Sequence, residues 1–166
     1  METIVRMGEL AVSRTAGDVL VAIGLGSCIG LALTDRRIGV AGLAHVVLPD
    51  CQGDRPVNPR KYADLAVPEL VAGLEALGAR RIRLRGVLVG GASMFAVSGL
   101  DVGHRNEAAV REQLSALRIP VVAAATGGAR GRTVRVDVAS AGVTVREAGG
   151  AEFELAAAEP VLEAMA

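Results

Sequence analysis

Apolar residues along the chain fall into short runs separated by glycine and polar clusters, and they take helical spacing in only two places. Val19 to Ile23 is apolar and β-branched, which predicts a buried strand. Gly24 to Ser27 interrupts it. Ile29 to Thr34 predicts a second strand, and Asp35-Arg36-Arg37 a bend into a third, Gly39 to Val47, ended by Leu48-Pro49-Asp50. Upstream, Ile4 to Ser13 reads as short strand pieces around Gly8. From Lys61 to Leu77, residues Leu65, Leu70, Leu74 and Leu77, with Val67 and Val71, make one apolar helical stripe that stops at Gly78. Pro68 lies inside it and is expected to kink the helix or begin a second one. Ile82 to Val89 predicts a strand, Asn106 to Leu117 a second helix, and Val121 to Ala125 a further strand. Val134, Val136 and Val138 alternate with Thr133, Arg135 and Asp137, the period of a half-exposed strand. Val143 to Glu147 is its hairpin partner and Glu152 to Leu155 a last strand. The tail from Ala156 reads as a short helix or a frayed end.

About eight or nine strands and two helices, joined by short connections, predict an α+β fold of packed mixed or antiparallel sheets with flanking helices. Residues 1–166 read as a single domain. Hydrophobic residues make up 51% of the chain and aromatic residues 2%, so the core is aliphatic. With 18 basic and 18 acidic residues the formal charge is zero, which argues against a nucleic-acid groove or a polybasic membrane patch. The uncharged run from Val19 to Thr34 falls short of the roughly 20 residues of a spanning helix and contains Gly24, Gly26 and Gly30, so membrane insertion is not expected. The start, METIVRMGEL, lacks the apolar stretch of a signal peptide, and a cytoplasmic location with reduced thiols is expected.

Candidate chemistry gathers at Gly24-Leu25-Gly26-Ser27-Cys28, where a thiol follows a glycine-loosened turn whose N–H groups could hold an oxyanion. A bend centred between residues 36 and 37 would bring position 28 opposite position 45, which is His45, a base able to activate the thiol. On residues alone the alternatives stay open: a cysteine in an apolar run is also an ordinary small core residue, and a strand histidine an ordinary surface or hydrogen-bonded one. A zinc site from Cys28, His45, Cys51 and His104 matches no paired-ligand spacing. The glycine loops at 24–26 and 90–93 match neither a P-loop nor the full dinucleotide fingerprint. No cofactor and no metal are expected.

Several motifs then combine: Gly24-Leu25-Gly26-Ser27-Cys28, Ala44-His45-Val46-Val47-Leu48-Pro49, Lys61-Tyr62-Ala63-Asp64, Gly90-Gly91-Ala92-Ser93-Met94-Phe95, Gly103 with Arg105-Asn106, and Thr126-Gly127-Gly128 with Arg130. In this order, over roughly residues 3 to 155, the sequence resembles the CheD family of chemoreceptor glutamine deamidases. The resemblance implies a cysteine-hydrolase-like fold related to toxins that deamidate Rho GTPases. It also implies Cys28 as nucleophile and His45 as general base and acid. The implied substrate is a glutamine on the cytoplasmic helices of a chemoreceptor, converted to glutamate, with possible action on receptor methyl esters. A CheC-type CheY phosphatase is an implied partner. Gly26, Ser27, Ser93, Asn106 and Thr126 are candidates to line the cleft or to tie its loops together. One departure stands out: the family pattern has a threonine six residues before the cysteine, and this chain has Ala22. That departure motivates an alternative, a weakly catalytic or non-catalytic module that binds such a phosphatase.

Overall fold

A computed structural model describes residues 1–53, 56–93 and 101–157. In chain order its elements are β1 (Glu2–Ile4), β2 (Leu10–Ser13), β3 (Val19–Leu25), β4 (Ile29–Asp35), β5 (Val40–Val46), α1 (Ala63–Ala76), β6 (Arg85–Gly90), α2 (Val102–Ala116), β7 (Val121–Thr126), β8 (Arg132–Asp137), β9 (Val143–Glu147) and β10 (Glu152–Ala156). The strands form two five-stranded sheets, ordered β1-β3-β8-β9-β10 and β2-β5-β4-β6-β7. Both are mixed: β1 runs parallel to β3 and β6 to β7, and the other pairs are antiparallel. The expected α+β class of packed mixed sheets with flanking helices is what the chain adopts.

Side-chain alternation sorts the core into two layers. Ala32, Ala41, Leu43, Val87 and Val89 of the second sheet meet Leu20, Ala22, Val134, Val136 and Val145 of the first. On the opposite face, Ile29, Leu31, Leu33, Ala44, Val46 and Leu88 pack against Leu70 and Leu74 of α1 and Val110 and Leu114 of α2. Every residue of β4 and β5 is therefore buried, which explains why these strands read as unbroken apolar runs. The uncharged stretch from Val19 to Thr34 is β3, a bend and β4, one strand in each sheet. Among the described residues no helix is long and apolar enough to cross a membrane.

Three expectations are corrected. Residues Arg81–Arg83 form a 3-10 turn and Ile82 is exposed, so the strand begins only at Arg85. The cause is Asp35, fully buried at the end of β4: its carboxylate accepts from the Arg80 N–H and the Arg83 Nε, both at 3.0 Å. Those bonds satisfy a carboxylate whose burial would otherwise be costly, and they hold the chain in a turn. Helix α1 is continuous through the exposed Pro68, so of the two expected outcomes a second helix does not begin there. Helix α2 starts four residues earlier than expected, at Val102, because the Asp101 carboxylate caps it by accepting from His104 N at 3.0 Å. The strand expected at the C-terminal end is present as β10, and the tail beyond residue 157 lies outside the described residues.

Candidate active site

Because β1 and β3 are parallel, the chain leaves the first sheet twice at the same rim. It crosses to the second sheet through residues 5–9 after β1 and through residues 26–28 after β3. Strand β4 begins at this rim, and β5, β6 and β7 end there, since Ile29 pairs with Val46 and Gly90, and Gly90 with Thr126. The Gly24 to Cys28 motif is thus the crossover itself. A bulge between Ala22 and Leu25, with Gly24 at φ +68°, turns Ile23 outward and returns Leu25 to the core. Gly26, Ser27 and Cys28 then form a bend outside both ladders.

The register differs from the expected one. Asp35 pairs with Val40, so the turn spans residues 36–39 and His45 faces Gly30, not Cys28. Gly39, read as a strand residue, takes φ +66° and belongs to the turn. The shift is two residues, and two residues preserve the face. His45 shares its side of β5 with Ala41 and Leu43, which face the first sheet, and Cys28 packs in that same inter-sheet layer. Cys28 therefore stands one step past the end of the ladder, diagonal to His45.

Both groups are recessed, with Cys28 8% and His45 3% exposed, behind the half-exposed Gly26 and Ser27. The His45 Nδ1 lies 3.0 Å from the Val5 carbonyl oxygen. A carbonyl only accepts, so Nδ1 carries the proton and Nε2 presents its lone pair. Among the described residues Nε2 has no hydrogen-bond partner, although it is buried. An unpartnered buried acceptor of this kind is uncommon away from functional sites. The Val5 carbonyl orients the imidazole, and Ala22, buried in the inter-sheet layer, carries no polar side-chain atom.

Burial lowers the His45 pKa, against the opposing influence of the Val5 carbonyl and the more distant Glu9 carboxylate. Burial raises the Cys28 thiol, opposed by a backbone hydrogen bond. Both shifts favour the uncharged forms, so near neutrality the pair is a thiol and a neutral imidazole, not a thiolate and imidazolium. Cys28 and Cys51 are not joined in a disulfide.

The remaining candidates gather at the same rim in different roles. The bend's carbonyls are pinned from behind: Gly26 O accepts from Ala92 N at 2.8 Å, Cys28 O from Gly91 N at 2.8 Å, and Ser27 O from Asn106 Nδ2 at 2.9 Å. Asn106 has no exposed surface, so of its two expected roles it takes the tying of loops and not the lining of a cleft. Ser93 is exposed, its N–H donating to Gly128 O at 2.8 Å. Thr126 is half-buried, and its Oγ1 donates to Glu107 Oε2 at 3.0 Å. His104 is exposed. Met94 and Phe95 lie outside the described residues.

Two contributors escaped the sequence reading. The Val5 carbonyl is a backbone group and leaves no side-chain signature. Arg132 is 8% exposed and donates to Gly127 O at 2.8 Å and Gly90 O at 3.3 Å. Its signal was present: Arg132 shares the inward parity of Val134 and Val136, an unusual place for a charge.

Gly90 is where this rim is tightest. It has φ +113°, and a methyl added to it would overlap the Cys28 carbonyl oxygen. Gly90→Ala is expected to lose about 2–4 kcal/mol of stability, from backbone strain and displacement of the Gly26–Cys28 bend. Chemical denaturation checks this, and an unchanged midpoint would refute the packing argument.

Known proteins similar to this chain show its family. The family model for CheD chemotactic sensory transduction matches residues 47–147. A Clostridium kluyveri protein named probable chemoreceptor glutamine deamidase CheD is 44% identical over 147 residues, spanning 84% of this chain and 91% of its own. A protein of the same name from Clostridium botulinum strain Hall is 42% identical over 153 residues, spanning 89% and 94%. Among solved structures, a Neisseria meningitidis protein of the DUF152 family aligns with TM-score 0.47 at 12% identity, over 76% of this chain and 63% of that one. With identity above two-fifths across most of both partners, the chain belongs to the CheD family.

Proposed function

We propose that this protein hydrolyses the carboxamide of specific chemoreceptor glutamines, with Cys28 as nucleophile and His45 as general base and acid. The observation that carries the reading is the buried imidazole, held through Nδ1 on Val5 O with Nε2 open, on the same inter-sheet face as Cys28. The names of its relatives supply the substrate class.

In this reading His45 Nε2 takes the thiol proton as sulfur bonds to the carboxamide carbon. The carbon–nitrogen bond then breaks, and His45 returns the proton to the departing ammonia. Water, deprotonated by the same imidazole, attacks the thioester carbon; the carbon–sulfur bond breaks, the thiol is restored, and glutamate remains. The open Nε2 fits an unliganded site, where catalytic hydrogen bonds are often loose until substrate arrives. The recessed thiol suits a long, thin side chain reaching in from a docked helix. A methyl ester would follow the same course with methanol leaving, which makes receptor methylesterase activity a companion proposal. The reaction turns a neutral amide into a negative charge on a receptor helix, which belongs in the cytoplasm.

The test is incubation of the purified chain with a chemoreceptor cytoplasmic fragment, reading each glutamine by peptide mass spectrometry. Conversion of one or a few glutamines to glutamate, with ammonia released in equal amount, is expected. A fragment that binds yet keeps every amide over hours would overturn the proposal. Ala22 favours a second reading, in which the chain mainly binds a CheC-type phosphatase; that reading predicts phosphatase binding with no amide loss.

A further inference from the structure

Asn106 is a fully buried amide reaching the site from α2, and its two N–H bonds join segments far apart in sequence. Its Nδ2 donates to Ser27 O and to Val47 O, each at 2.9 Å. Ser27 O belongs to the peptide that ends in the Cys28 N–H, and Val47 lies two residues beyond His45. Two carbonyl acceptors fix the orientation of the amide, because only its nitrogen can donate. Its Oδ1 is buried without a partner among the described residues. Helix α2 is jammed into place one turn earlier: a methyl added at Gly103 would lie 2.5 Å from Ala92 O and 2.6 Å from the Gly91 carbonyl.

A trans peptide is planar, with its C=O and N–H pointing in opposite directions. Pulling Ser27 O towards Asn106 therefore aims the Cys28 N–H away from α2. The bond from Ala92 N to Gly26 O does the same for the Ser27 N–H. Of these two ties, only the first comes from a side chain.

We infer that Asn106 is a positioning residue: its side-chain amide sets the Ser27–Cys28 peptide so that the Cys28 N–H serves as an oxyanion donor, and ties that peptide to the end of the strand carrying His45. The inference rests on Cys28 being the nucleophile. Such a donor acts only when negative charge builds on the substrate oxygen, so its misalignment slows turnover more than it weakens binding.

The experiment compares Asn106→Ala, which leaves a cavity, with Asn106→Leu, which removes the donors at similar volume, on protein eluting at the wild-type volume in gel filtration. Deamidation of a receptor cytoplasmic fragment is expected to show kcat lower by about 100-fold in both, with KM within about two-fold. Alkylation of Cys28 by iodoacetamide, which builds no oxyanion, is expected to stay within about three-fold of wild type. Asn106→Ser keeps one donor and is expected to fall between; it also serves if the other two do not fold. An unchanged kcat would overturn the inference, as would parallel losses of kcat and alkylation, the mark of a merely disordered site. Failure of the underlying reading looks different: Cys28→Ala would go on deamidating, whatever Asn106 does.

Discussion

Replacing Cys28 with alanine is expected to abolish glutamine deamidation, a loss of at least ~10⁴-fold, with the fold intact. The reaction as proposed needs a covalent acceptor for the acyl group, and Cys28 is the nucleophilic side chain among the described residues packed in the inter-sheet layer that His45 faces. Cys51 cannot stand in: it follows β5 on a loop, where its N–H is held by the Asp64 carboxylate at 3.2 Å. Alanine keeps the β-carbon and removes one sulfur from an almost buried position, so stability should change by no more than about 1 kcal/mol. Peptide mass spectrometry of the receptor fragment and a thermal melt together check the prediction. Retained turnover with an unchanged melting temperature would rule Cys28 out.

The second large effect is expected at His45. Asparagine places its amide nitrogen where Nδ1 donates to the Val5 carbonyl but cannot take a proton, so His45→Asn should preserve the local structure and reduce kcat/KM by about 10²- to 10⁴-fold. The pH dependence separates this from a packing defect. Burial favours the neutral imidazole, so the acid limb of the wild-type profile should lie below the ordinary imidazole value near 6.5. Burial also raises the thiol, so the rate should remain level well into the alkaline range before the proton is lost from Cys28. The variant should lose the acid limb. Stability follows the same sign: a histidine with a depressed folded pKa contributes stability that is present above its unfolded value and lost as pH falls through the folded one. An acid limb centred above the ordinary imidazole value would contradict the buried, neutral base.

Much of this site was legible in the chain because its strands are buried on both faces. Strands β4 and β5 are therefore mostly apolar, and glycines or lone polar residues in or beside such runs mark where the chain turns or does chemistry. Cys28 and His45 stood out for that reason, and their shared face survived an error of two positions in register because side chains alternate with period two. The register itself was not legible: Gly39 reads as a strand residue, and only its positive φ puts it in the turn. The first turn of α2 was hidden as well, because Gly103 is there for close approach to Gly91 and Ala92 and not for helix propensity. The 3-10 turn at Arg81–Arg83 depends on a carboxylate some forty-five residues earlier, Asp35, beyond the reach of any local pattern. The Val5 carbonyl that anchors the imidazole was not legible either, because a backbone group leaves no side-chain signature.

The two sheet-to-sheet passages have one more consequence. The thiol arrives on one passage and the imidazole's anchor on the other, so neither layer holds a working centre alone. On the proposed mechanism, turnover therefore requires both sheets to be docked, and a fragment carrying one sheet alone is expected to deamidate nothing.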